Sequence, residues 1–164
     1  MFFFTTFGGE ALSLAASIAC IQYIRNHDVT GHIAAMGQRL LDGLLSLKSE
    51  LELDYVNLAG YPFRTLMNFS PTAGNPLEMK TLVQQELLRR GILWAGIHNL
   101  CFAHTQEDVD YTLSAYAETL AILKKAVATG NVGSQLKGET VQPVFRKTSN
   151  FHVKPRLALE RKAG

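Results

Sequence analysis

Apolar positions along this chain fall into distinct periodic patterns. Between residues 10 and 26, Ala11, Leu12, Leu14, Ala15, Ala16, Ile18, Ala19, Ile21 and Ile24 run almost all the way round a helical wheel. That pattern predicts a helix covered on most of its sides. From Asp28 to Leu51 the spacing changes. Val29, Ile33, Met36, Leu40, Leu44, Leu47 and Leu51 recur every three or four residues, the mark of an amphipathic helix. Gly31, Gly37 and Gly43 interrupt it, each at a cost of roughly 1 kcal/mol relative to Ala, so close packing against a neighbour is expected to compensate. The opening Met1–Thr6 reads as a short strand or extended entry.

Two strands are expected next, Tyr55–Ala59 and Arg64–Phe69, separated at Gly60-Tyr61-Pro62. In the second, Thr65, Met67 and Phe69 share one face. Asn75 and Pro76 supply an N-cap and a first helical residue, and Glu78 completes a capping-box-like start. Arg89 and Arg90 suit the end of that helix, and Gly91 stops it. Ile92–Ala95 and Asn99–Ala103 are short strand candidates around Gly96. Thr105 with Asp108 then caps a long helix whose packing stripe is Val109, Leu113, Tyr116, Leu120, Leu123 and Val127. Val141–Arg146 is an edge-strand candidate because of Pro143, and little order is expected from Lys147 onward. Helix, helix, strand, strand, helix, short strands, helix and tail give an α+β chain with helices on one sheet face.

The 164 residues suffice for one domain with a real core, and 47% hydrophobic against 18% charged residues is a globular composition. The net charge of +2 is unevenly placed: residues 1–128 carry 9 basic and 12 acidic side chains, residues 129–164 carry 7 and 2. Basic residues in the tail are spread out, which fits a solvated terminus better than a nucleic-acid arm. Cys20 and Cys101 are too few for a disulfide scaffold and form no CxxC pair, so a reducing, cytoplasmic setting is expected. The first basic residue is Arg25, and Glu10 lies within the apolar opening, so neither a secretory signal nor a membrane span is expected.

Two places carry candidate chemistry. Thr5-Thr6-Phe7-Gly8-Gly9 opens a helix, where hydroxyls, glycines and free N–H groups suit a phosphate; an ordinary threonine N-cap fits the same residues. His98, Cys101 and His104 have metal-like spacing. On a strand, however, the two histidines would stand about 20 Å apart with Cys101 on the opposite face, so no metal site is expected and His104 reads as a residue preceding the Thr105 cap. No P-loop, dinucleotide fingerprint or serine elbow is present.

Thr6-Phe7-Gly8-Gly9-Glu10-Ala11-Leu12-Ser13-Leu14-Ala15-Ala16 resembles a stretch of the class III pyridoxal-phosphate-dependent aminotransferases, in their glutamate-1-semialdehyde-aminomutase-like branch. Gly91 to Asp110, running through Ala103-His104-Thr105, resembles the C-terminal signature of the same family. Gly60-Tyr61-Pro62-Phe63-Arg64 and Val141-Gln142-Pro143-Val144-Phe145-Arg146 are similar to further pieces of it. The likeness covers about residues 4–146 and only the C-terminal part of such an enzyme, of fold type I. Many members have Gly-Asn-Pro where this chain has Gly9-Glu10-Ala11.

The resemblance implies pyridoxal 5'-phosphate as cofactor, with Thr6, Phe7 and Gly8 as cofactor-binding residues and Thr6 the phosphate donor. His98 and Asn99 match a loop near the substrate end of the site. No catalytic residue is assigned. Lys48, Lys80, Lys124 and Lys125 do not sit in the family's lysine motif, so the chain is not expected to bind the cofactor covalently. The apolar start then reads as a cut through a larger fold. Residues 1–27 would be the end of a large domain with its interface helix, 28–128 the small α+β domain, and 129–164 a basic, partly extended tail. The expected role is to supply small domain, dimer surface and a phosphate contact to an enzyme of amino-group transfer. The expected partners are a homodimer mate or an upstream large domain and a small amino or keto substrate, with no nucleic acid or membrane. The alternative expectation is a non-catalytic interaction or dimerisation module.

Overall fold

The structure is a computed structural model that describes residues 8–142. Helix α1 spans Ala11–Asn26, and α2 spans Val29–Glu50. Strands β1 (Val56–Tyr61) and β2 (Arg64–Phe69) form an antiparallel hairpin, followed by α3 (Pro76–Arg89) and α4 (Gln106–Ala128). The α+β architecture is the expected one. The hairpin pairs Val56 with Phe69 and Tyr61 with Arg64, so β1 runs two residues further than its periodicity indicated. The break expected at Gly60 is absorbed because glycine takes a φ of 96° there, and the turn falls on Pro62-Phe63 instead.

On β2, Thr65, Met67 and Phe69 are buried and alternate with exposed Arg64, Leu66 and Asn68. The buried face meets Leu40 and Leu44 of α2, Met79, Leu82, Val83 and Leu87 of α3, and Val109, Tyr116, Leu120 and Leu123 of α4. Two of the three glycines of α2 pack as their cost suggested, whereas Gly31 faces only the side chain of its own N-cap, Asp28. A Cβ on Gly37 would lie 2.6 Å from backbone atoms of Pro62 and Phe63, and one on Gly43 would lie 2.5 Å from the Leu113 side chain. Helix and hairpin approach closely because no side chain separates them.

Helix ends follow the sequence with one amendment. Thr105 and Asp108 make the full reciprocal capping box. At α3, Asn75 accepts from the Leu77 N–H, but Glu78 reaches the Asn75 side chain rather than its backbone, so the box is not closed. Gly91, at φ 76°, ends α3 as expected.

The two strand candidates around Gly96 are not strands. Residues 96–100 run beside β2 and the turn before it and bond at alternate positions: the Met67 N–H donates to Gly96 O, and the N–H groups of His98 and Leu100 donate to the carbonyls of Thr65 and Phe63. Gly96, at φ 102°, breaks the extended backbone, and a single bridge, Leu66 to Ile97, is the regular pairing that survives. Past α4, Val132 is buried and the Gln85 side chain holds Gln135 O and the Lys137 N–H, so residues 131–137 are strapped across α3. The proposed strand 141–146 lies mostly outside the described residues.

Helix α1 has no buried residue and makes slight contact with α2. Leu12, Leu14, Ile18 and Ile21 are each at least half exposed. The all-round apolar helix is present as expected, and nothing among the described residues covers it. No described helix is long and apolar enough to cross a membrane.

Candidate functional site

Segment 92–104 and the start of α4 enclose a cavity of about 150 Å³, lined among others by Leu40, Trp94, His98, Asn99, His104 and Asp108. Both substrate-loop candidates therefore meet at one place, but with different freedom. Asn99 is exposed. His98 is 8% exposed and both ring nitrogens are engaged. Nδ1 lies 3.2 Å from the Thr65 carbonyl, which can only accept, so Nδ1 carries the hydrogen and Nε2 accepts from the Tyr116 hydroxyl at 2.7 Å. Burial pushes the imidazole down to about 4, against a smaller upward pull from Thr65; the ring is neutral at physiological pH. Burial likewise raises the Tyr116 hydroxyl far above its ordinary range. His98 thus joins β2 to α4 through two hydrogen bonds and holds no proton to exchange near neutrality.

At the mouth of the same region, the Cys101 Sγ lies 3.2 Å from His104 Nδ1, and the Cys101 N–H donates to that nitrogen at 3.0 Å. The His104 carbonyl accepts from His32 Nε2 at 2.8 Å, tying the loop to α2. Asp108 is held below the usual carboxylate range by the Thr105 N–H and hydroxyl, with attraction to His104 adding to it. The sequence treated His104 as a mere pre-cap residue. The missed signal is the i,i+3 spacing with Cys101, closed into a turn by the His104 N–H donating to Cys101 O. Among the described residues no group of three potential metal ligands comes together.

The phosphate candidates are divided by the described range. Thr6 and Phe7 lie outside it, and Gly8 lies at its edge in an exposed turn. What the structure does show is the start of α1. Its N-cap is Glu10, whose carboxylate accepts from the Leu12 and Ser13 N–H groups at 2.9 and 2.6 Å. The first amides of α1, on which an anion-binding helix start would rely, already hold an anion of their own. Glu10 stands where the family pattern has Asn.

The described lysines do not surround a cofactor-sized space. Lys48 lines a hollow with Glu52 and Asp54, Lys80 lies over Gly96, and Lys124 pairs with Glu52 at 3.3 Å. The 150 Å³ cavity has no lysine or arginine in its lining. These residues do not fit pyridoxal phosphate as a site complete within the described chain.

No family model matches the chain. Over 128 residues it is 27% identical to a 3-aminobutyryl-CoA aminotransferase of Cloacimonas acidaminovorans, covering 76% of this chain and 31% of that protein. It is 28% identical over 133 residues to a glutamate-1-semialdehyde 2,1-aminomutase of Desulfitobacterium hafniense, covering 72% and 30%. The chain is similar to the class III aminotransferases. The fold agrees: the FumI protein of Sphingopyxis sp. MTA144, solved in its PLP internal aldimine form, superposes with a TM-score of 0.65 at 21% identity, over 79% of this chain and 31% of that one. The chain spans about a third of the length of the relatives it matches.

Proposed function

We propose that this chain is the C-terminal portion of a class III pyridoxal-phosphate-dependent aminotransferase or aminomutase. The small α+β body presents the 92–104 loop toward the substrate, and α1 joins it to a large domain or a dimer mate. The observation that carries this reading is α1 itself: a helix of 16 residues with none buried, attached to a body that matches part of a PLP enzyme. Exposed Leu and Ile side chains over four turns require an apolar surface against them.

The bound cofactor would supply an electron sink for amino-group transfer. This chain's own contribution is narrower. Thr6 would donate a hydroxyl to the phosphate, and the His98–Tyr116 pair fixes the height of Asn99 at the cavity. Glu10 satisfies the first amides of α1, leaving the phosphate to side-chain donors. A cytoplasmic location belongs to the same reading.

The test compares the chain alone with the chain joined to an upstream domain carrying a Schiff-base lysine. Alone, treatment with pyridoxal phosphate and borohydride should label no single lysine stoichiometrically. Joined, Thr6→Ala should weaken cofactor binding about ten- to a hundred-fold, the loss of one hydrogen bond to a charged acceptor, with unchanged melting of the apo form. Unaltered cofactor affinity would remove Thr6 from the phosphate site. A stoichiometric adduct on one lysine of the isolated chain would overturn the assignment of the covalent step to another domain.

The exposed α1 equally suits the second reading, a non-catalytic dimerisation module. It is distinguished by a stable dimer of the isolated chain that shows no affinity for pyridoxal phosphate.

A further inference from the structure

We propose that the cavity between segment 92–104 and the start of α4 binds a small organic ammonium ion, a single positive amine on a compact apolar body. The site stands on the cavity's own lining and does not depend on the amino-transfer reading.

Volume and walls set the body of the ligand. The cavity holds about 150 Å³, and Leu40, Ile92, Leu100 and Val109 make it apolar. A space of that volume between apolar side chains takes a molecule about the size of benzene. Trp94 is part of the same wall and is 5% exposed. Its Nε1–H has no hydrogen-bond partner among the described residues, so no described side chain occupies the indole in place of a guest.

Asp108 sets the charge. It is the one carboxylate in the lining, which contains no lysine or arginine. Asn99 carries no charge, and the other polar side chains are already engaged. Both His98 nitrogens are bonded, His104 Nδ1 accepts the Cys101 N–H, and the Thr112 hydroxyl donates to the Asp108 carbonyl. The Asp108 carboxylate, in contrast, is bonded through one oxygen. The Thr105 N–H and hydroxyl donate to Oδ2 at 2.8 and 2.9 Å, and Oδ1 has no partner among the described residues. Those two donors, with attraction to His104 as a smaller contribution, hold the carboxyl below its usual range, so it is charged at neutral pH. A held carboxylate with a free oxygen beside an apolar hollow attracts an ammonium group and repels a second carboxylate.

Three probes built on one ring separate charge from shape: cyclopentylamine, cyclopentanol and cyclopentanecarboxylate. Each is titrated into the full chain at about pH 8, where the amine is protonated as a lysine would be. Trp94 is the single tryptophan, so its emission reports occupancy of the cavity. Cyclopentylamine should shift that emission saturably, and should bind about tenfold tighter than the carboxylate and about threefold tighter than the alcohol. In Asp108→Asn, which keeps an oxygen for the Thr105 cap, the amine should fall to the level of the alcohol and the carboxylate should gain. Equal affinities of the three probes for the parent chain would overturn the proposal. So would a preference for the carboxylate, no saturable shift with the amine, or an amine preference that survives in a folded Asp108→Asn variant. If that variant does not fold, salt decides. An advantage of amine over alcohol that shrinks between about 20 and 500 mM sodium chloride upholds the site, and one indifferent to salt refutes it.

Discussion

The Tyr116 hydroxyl of α4 donates to Nε2 of His98 across 2.7 Å, within a pocket where Tyr116 is fully buried and His98 nearly so. Trp94 closes the group, its ring 6.3 Å from Tyr116 and edge-on to it. Three residues from two parts of the chain thus make a polar knot inside an apolar core.

That knot predicts an acid limb in stability. His98 titrates near 4 in the fold and near 6.5 when unfolded, so the unfolded chain binds the extra proton first. Its contribution is fully present above pH 6.5 and is lost as pH falls from 6.5 toward 4, by about 3 kcal/mol at most. Denaturant melts from pH 8 to 4 should show the slope, and His98→Gln should flatten it. Tyr116→Phe leaves Nε2 unpaired and should cost about 1–3 kcal/mol at pH 7. A pH-independent wild-type stability between 6.5 and 4 would rule this out.

Glu86 of α3 is 4% exposed, yet it is ionised. Burial pushes its carboxyl up, but hydrogen bonds from Arg90 and Gln85 and the attraction of Arg89 outweigh that and hold it below the ordinary range. Arg90 makes the closer contact, 2.9 Å against 3.3 Å for Arg89, and is itself the more buried. Arg90→Ala should therefore destabilise by about 3 kcal/mol, because it leaves Oε2 of a buried carboxylate without a partner while Arg89 and Gln85 reach only Oε1. Arg89→Ala should cost under about 1 kcal/mol. Adding Glu86→Gln to Arg90→Ala should recover part of the loss in urea unfolding. Equal effects of the two arginines would contradict this.

Gly37 and Gly43 should respond differently to the same substitution. Gly37→Ala forces a methyl onto the Pro62-Phe63 backbone, which cannot step aside, and should cost about 1–3 kcal/mol despite better helix propensity. Gly43→Ala meets the movable end of Leu113 and gains propensity, so its change should stay within about 1 kcal/mol. Thermal melts of the two variants check the order.

Helix α1 should behave as an uncovered apolar surface. The isolated chain should self-associate or bind an apolar dye. Leu14→Glu with Ile18→Glu should reduce both effects and leave the melt of the body unchanged, because neither residue is buried. A dye-free monomer before substitution would show that α1 is not an open surface.

Much of this architecture is readable from local chemistry. Thr105 and Asp108 announce α4 because a capping box is settled within four residues, and β2 shows its buried face because a period of two needs only six residues to register. The segment 92–104 was misread for the opposite reason. Its apolar residues look strand-like, but its shape is set by Gly96 and by hydrogen bonds to β2, about thirty residues earlier. The candidate site divides the same way. That His98 is a buried strut depends on Tyr116, eighteen residues on, and no spacing rule links the two. The Cys101–His104 turn was local enough to be seen, but its spacing was weighed only against metal binding. Glu10 was visible as a departure from the family pattern, whereas its capture of two amides needed coordinates.

The irregular course of residues 92–104 has a protective effect on the sheet. A hairpin of two strands ends in rows of unpaired amides that invite another chain to add on. Here the free side of β2 is taken by a segment that bonds at every second residue and then turns away at Gly96. Such a segment satisfies its neighbour without offering a continuous ladder of its own, so β2 cannot pass its pattern outward to a further molecule. A chain whose helix α1 is left uncovered by the other described residues is in this way still guarded, along β2, against growth into an extended cross-strand aggregate.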